Sequence, residues 1–118
     1  MTILARLTLT VAVALILSTP PLLAQEKGPV VAIISHPVAD YPKWRALYDE
    51  VKPMRDAAGL ISQKVFRAPG DPNMVVLIHE FETLEGAQAL FASPELKAAM
   101  QDAGVTAPPT VILGVSAD

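Results

Sequence analysis

Met74–Ala103, MVVLIHEFETLEGAQALFASPELKAAMQDA, decides the fold. Val75, Val76, Leu77 and Ile78 are consecutive apolar residues, so both faces of this segment seek burial. That predicts a central strand, Met74 to Phe81, rather than an exposed edge. Thr83 is a ready N-cap, and Leu84, Ala87, Leu90 and Phe91 follow at helical spacing. Ser93-Pro94-Glu95 starts a second helical piece, with Ser as cap, Pro at the first position and an acid in the first turn. Leu96, Ala99, Met100 and Ala103 form its apolar stripe, and Gly104 stops it.

Outward from that segment, Val30 to His36 (VVAIISH) is a second uninterrupted apolar strand, ended by Pro37. Asp40 caps a helix in which Trp44, Leu47, Tyr48 and Val51 recur on one side. Pro53 lacks the N–H donor and crowds the preceding turn, so it should kink or restart this helix. Met54, Ala57 and Ala58 continue its apolar side up to Gly59. Leu60 to Ala68 (LISQKVFRA) mixes polar and apolar residues on both faces, which suits an edge strand. Pro69-Gly70-Asp71-Pro72-Asn73 turns it into a hairpin with Met74 to Phe81. Thr110 to Val115 is the last strand.

The order β-α-β-β-α-β, with right-handed crossovers, predicts an α+β, ferredoxin-like fold. Four strands form an antiparallel sheet, with the helices on one face. Strands one and three are then central, in agreement with the purest apolar runs. The other sheet face has nothing within the chain to cover it. Two strands without a polar side predict a second copy there, that is, a homodimer.

Of the 118 residues none is cysteine, which removes disulfide and thiol chemistry. Met1 to Ala24 has one base, Arg6, then an apolar run from Leu7 to Leu17, then Ser-Thr-Pro-Pro. The apolar run is short for a membrane span and suits a signal peptide, with cleavage placed after Ala24. Residues 25–118 are then one domain, periplasmic or secreted, with no membrane attachment after cleavage. Loss of Arg6 leaves 8 bases against 12 acids, a net charge of −4. A mildly acidic, unpatterned surface argues against nucleic acid as partner.

The stretches ADYPKWRALYDEVKPMRDAAGL, KVFRAPGDPNMVVLIHEFETLEGAQALFASPELKAAMQDAGV and PPTVI resemble the small dimeric α+β barrel proteins related to antibiotic-biosynthesis monooxygenases, among them members loosely labelled cyclases. The resemblance covers nearly all of Val30 to Val115. It implies a homodimer with sheets packed face to face and a small-molecule pocket between sheet and helices. Superfamily members include cofactor-independent oxygenases, haem-handling proteins, isomerases and proteins without known activity.

The chemistry-bearing residues are few. His36 and His79, the only histidines, are the candidate catalytic residues. Antiparallel pairing of strands one and three puts them at opposite ends of the sheet, well over about 10 Å apart. A two-histidine metal site within one chain is therefore not expected, and no other cluster has metal-ligand spacing. No cofactor motif is present, and none is expected. Arg67, Tyr41, Trp44 and the Val105–Pro109 loop should converge with His36. Together with Tyr48 they are the candidate ligand-binding residues: a guanidinium for charge and aromatic rings for stacking. The bland reading makes Trp44 and Tyr48 core residues and Arg67 an exposed edge residue.

Three functions stay open: an exported dimer binding a small, largely apolar or aromatic molecule; a cofactor-independent monooxygenase or isomerase acting on an aromatic or quinone-like substrate; and a structural dimer whose core is filled by Trp44, Tyr48, Phe81 and Phe91.

Overall fold

A computed structural model describes residues 28–118. The leader read in residues 1–24 lies outside them. The elements are β1 (Val30–Pro37), α1 (Tyr41–Glu50), α2 (Lys52–Ala57), β2 (Leu60–Ala68), β3 (Asp71–Phe81), α3 (Leu84–Phe91), α4 (Pro94–Asp102) and β4 (Thr110–Val115). The sheet order is β2-β3-β1-β4 with antiparallel neighbours throughout. This is the ferredoxin-like arrangement, with the two purest apolar strands in the centre.

The helix ends follow from local chemistry. Thr83 Oγ accepts from Gly86 N at 3.0 Å, and Ser93 Oγ accepts from Leu96 N at 3.1 Å. Asp40 accepts from Lys43 N over a longer 3.5 Å. Pro53 splits the first helical segment: α1 ends at Glu50, and α2 restarts at Lys52 with the proline in its first turn. Gly59 and Gly104 close the helices at φ of +92° and +81°, where a side chain would be strained.

β3 starts at Asp71, three residues before the expected Met74. The turn is only Pro69-Gly70, and Pro72 is accommodated at an irregularity in the β2 pairing, beyond the reach of β1. The end of α4 is tied back to β1 by Ala39 N→Gly104 O (2.9 Å) and Thr106 N→Pro37 O (3.1 Å).

Alternation along β1 and β3 divides the sheet. Val30, Ala32, Ile34, His36, Val75, Leu77, His79 and Phe81 are buried beneath the helices. On the opposite face Ile78, Ile33 and Ile112 sit side by side across three strands. They are 36%, 44% and 60% exposed, with Phe66 (48%) and Val31 (38%) beside them. Such a row of exposed apolar side chains is a surface that a partner can cover.

A candidate small-molecule cavity

The helix-facing side of β1 and β3 meets the apolar stripes of α1, α3 and α4 without closing completely. A cavity of about 100 Å³ remains, walled by Ile34, Leu77, Leu47, Leu90, Leu96 and Met100 among others. Trp44, Tyr48 and Phe91 line it rather than fill it. The filled core expected of a purely structural dimer is therefore not what these side chains make. A wider groove of about 530 Å³ shares Phe91, Met100, Pro109 and Val111 with the cavity and continues it along the 105–109 loop.

The buried polar side chains among the described residues are His36, Arg55 and His79, each 3% exposed, and all three line this cavity. Burying such groups is costly unless they are partnered. Tyr48 Oη and His79 Nε2 are 2.9 Å apart, a buried hydrogen bond. Arg55 Nε donates to Gln63 Oε1 at 3.1 Å, and its guanidinium carbon lies 3.8 Å from the centre of the Tyr48 ring. His36 Nδ1, Arg55 Nη2 and His79 Nδ1 have no partner among the described residues.

Register separates the histidines: His36 pairs with Val75 and His79 with Ala32, four residues apart along the strands. They nevertheless share one cavity, because one face of α1 spans the interval. Ring centroids run His36–Trp44 5.6 Å, Trp44–Tyr48 4.7 Å and Tyr48–His79 6.0 Å. Trp44 and Tyr48 are one helical turn apart, a rise of about 6 Å, roughly two strand residues. Opposite ends of the sheet thus become two walls of one site, a correction to placing the site at the His36 end alone. Among the described residues no three metal-ligating side chains come together.

Electrostatics keep the interior histidines neutral. Burial lowers the pKa of His36. Burial, with the Arg55 charge adding to it, lowers that of His79 to about 4. Burial raises the Tyr48 hydroxyl, against the opposing pull of Arg55. The neutral pair is best satisfied with Tyr48 Oη–H donating to Nε2, which puts the imidazole proton on Nδ1. The reverse arrangement would leave the hydroxyl proton unpaired as well.

These shifts have a consequence for stability. In the unfolded chain a histidine takes up a proton near pH 6.5; folded, His79 does so only near pH 4. Between those values the unfolded state binds more protons, so stability falls as pH is lowered through that window. The expected contribution of His79 is a loss of roughly 3 kcal/mol. Urea midpoints near pH 7 and near pH 4 measure it, and His79→Gln, which can still accept from Tyr48, should flatten the difference.

Of the residues expected to hold a ligand, Trp44 and Tyr48 line the cavity and are also buried core residues. Tyr41 and Arg67 do not line it. The Arg67 guanidinium stacks on the Tyr41 ring at 3.9 Å, and its Nε donates to Pro72 O at 2.7 Å, on an exposed edge. The guanidinium at the cavity is instead that of Arg55. The apolar side expected from Met54, Ala57 and Ala58 is displaced accordingly: Ala57 is exposed and Arg55 is buried. A signal was available, since Trp44, Tyr48, Val51 and Arg55 advance by four, three and four residues along a single helical stripe.

Residues 37–102, more than half of the chain, match the family described as antibiotic biosynthesis monooxygenase. No functionally curated protein matches it in sequence. Similar solved structures include a Caulobacter crescentus protein (TM-score 0.64, 10% identity, covering 80% of this chain and 95% of that one). SnoaB, a cofactor-independent oxygenase from Streptomyces nogalater, superposes with a TM-score of 0.58 at 13% identity, over 77% of this chain and 93% of its own. Rv0793 from Mycobacterium tuberculosis does so at 0.57 and 20% identity, over 77% and 97%. At these identities the likeness is one of fold.

Proposed function

Because the chain belongs to the antibiotic biosynthesis monooxygenase family, we propose that it binds a small, largely apolar molecule between its sheet and its helices, as an exported homodimer. The observation that carries this reading is the cavity itself: apolar walls around three buried polar side chains, each with an atom left unpartnered. The row Ile78, Ile33 and Ile112 supports the dimer, since two such faces packed together would remove both patches from water. The composition of residues 1–24 supports export.

Native mass spectrometry of the full-length chain, expressed with its leader and recovered from the exported fraction, tests this. The expected species is a dimer carrying one small molecule per protomer. A monomer counts against the dimer. A dimer that takes up no small aromatic, even when one is supplied, counts against the ligand site.

A second reading is favoured by the Tyr48–His79 pair. SnoaB shows that this fold can serve a cofactor-independent oxygenase. Such a reaction here would convert a substrate CH₂ and O₂ into C=O and H₂O, the substrate itself supplying the electrons. The bound substrate must first lose a proton. A neutral imidazole reached through the Tyr48 hydroxyl is a relay at the cavity that can receive it, and the His36 imidazole is a second acceptor there. Oxygen consumption with a turned-over substrate should then fall by about 10²-fold or more in Tyr48→Phe. Unchanged turnover in that variant, or in His79→Ala and His36→Ala, removes this reading.

A further inference from the structure

We infer that Arg55 is an anion-binding residue, and that the deep cavity takes a single aromatic ring bearing an acidic oxygen; this rests on the cavity being the ligand site. Arg55 is 3% exposed, yet among the described residues no carboxylate pairs with it. Two acids near it in sequence are engaged elsewhere: Asp56 with Lys52 at 2.8 Å and Asp49 with Arg45 at 3.2 Å. The Arg55 guanidinium touches a neutral amide oxygen and the face of the Tyr48 ring, and the charges of Asp56 and Asp49 act on it without direct contact. A guanidinium has no acceptor character, so its Nη2, unpartnered among the described residues, is a donor that a ligand oxygen can satisfy.

His79 makes the same demand. With Tyr48 donating to Nε2, the ring proton sits on Nδ1, which is buried and unpartnered. Two orphan donors on side chains that line one cavity, one of them a full positive charge, call for an oxygen with spare lone pairs and negative charge.

The remaining walls set the body of the ligand. They are apolar, and the Trp44 ring stands among them, while the faces of the Tyr48 ring are taken by Trp44 and Arg55. The volume sets the size. An apolar cavity of about 150 Å³ admits benzene, so about 100 Å³, open toward the groove, has room for at most one ring and not for a fused system. Substituents on the ring would extend along the 105–109 loop.

Trp44 is the only tryptophan and lines the cavity, so its emission reports occupancy. The full-length chain is titrated with benzoate and with its neutral counterpart benzyl alcohol. Benzoate is expected to bind at least about tenfold more tightly. Arg55→Met should abolish that preference, so that benzoate and benzyl alcohol bind the variant equally; should that variant not fold, the comparison on the unaltered chain decides by itself. Equal affinity for the two probes, or a preference that survives Arg55→Met, overturns the inference and leaves the ligand site standing. No response to either probe overturns both.

Discussion

Phe81→Ala is expected to cost about 3–5 kcal/mol, a large share of the roughly 5–15 kcal/mol that holds a domain of this size folded. Phe81 is fully buried on β3, opposite Val30 of β1 and Leu60 of β2, so its ring sits where three strands meet. It packs edge-on to His79 at 6.0 Å and to Phe91 at 5.9 Å. Truncation removes a ring from contact with both the floor and the α3 wall of the cavity. Neither neighbour can collapse into the gap freely, because His79 is held by Tyr48 and Phe91 belongs to a capped helix. Urea unfolding should show a lower midpoint with an unchanged slope. A loss under about 1 kcal/mol would mean that this corner is not the packed centre described here.

Ile33→Glu should dissociate the proposed dimer. Ile33 stands between Ile78 and Ile112 on the face without helices, and at 44% exposure it contributes little to the protomer's own core. A carboxylate there is solvated in the monomer. In a face-to-face dimer it is buried without a partner, and symmetry brings in a second copy of it. Burying an unpaired charge costs about 3–5 kcal/mol, which weakens association by more than about 100-fold. Sedimentation should show the dimer giving way to a folded monomer with an unchanged far-ultraviolet spectrum. A variant that stays dimeric would place the interface elsewhere.

The contrast between these substitutions reflects what the sequence makes legible. Strand order follows from the runs VVAII and MVVLI and from the turns between elements, because runs without a polar side mark the central strands. The caps at Thr83 and Ser93 and the break at Pro53 were equally readable, since each is a local hydrogen-bonding or steric matter.

The site was legible only in part. Trp44 and Tyr48 fall on the buried stripe whatever their role, so periodicity alone could not say whether they fill space or line it. Arg55 was hidden by its type: a charged residue on a helix is ordinarily a solvated one, and only its place on the Trp44–Tyr48–Val51 stripe argued otherwise. Arg67 failed in the opposite sense. It lies on the helix-facing side of β2, opposite Val75, but at a sheet edge where its long side chain reaches Tyr41 and Pro72 instead. The bridging of His36 and His79 by α1 depends on how a helix lies across a sheet, which spacing along either element does not encode.

Both histidines, neutral and buried, line one cavity. The most direct measurement is the nitrogen-15 spectrum of the imidazoles in the full-length chain, followed through pH and then with benzoate added. With only two histidines the spectrum is simple, and one variant assigns it. The expected result is a His79 ring that stays neutral down to about pH 4 and signals from both rings that move when the ligand is added. A His79 that titrates near 6.5, with neither signal moved by the ligand, would contradict it.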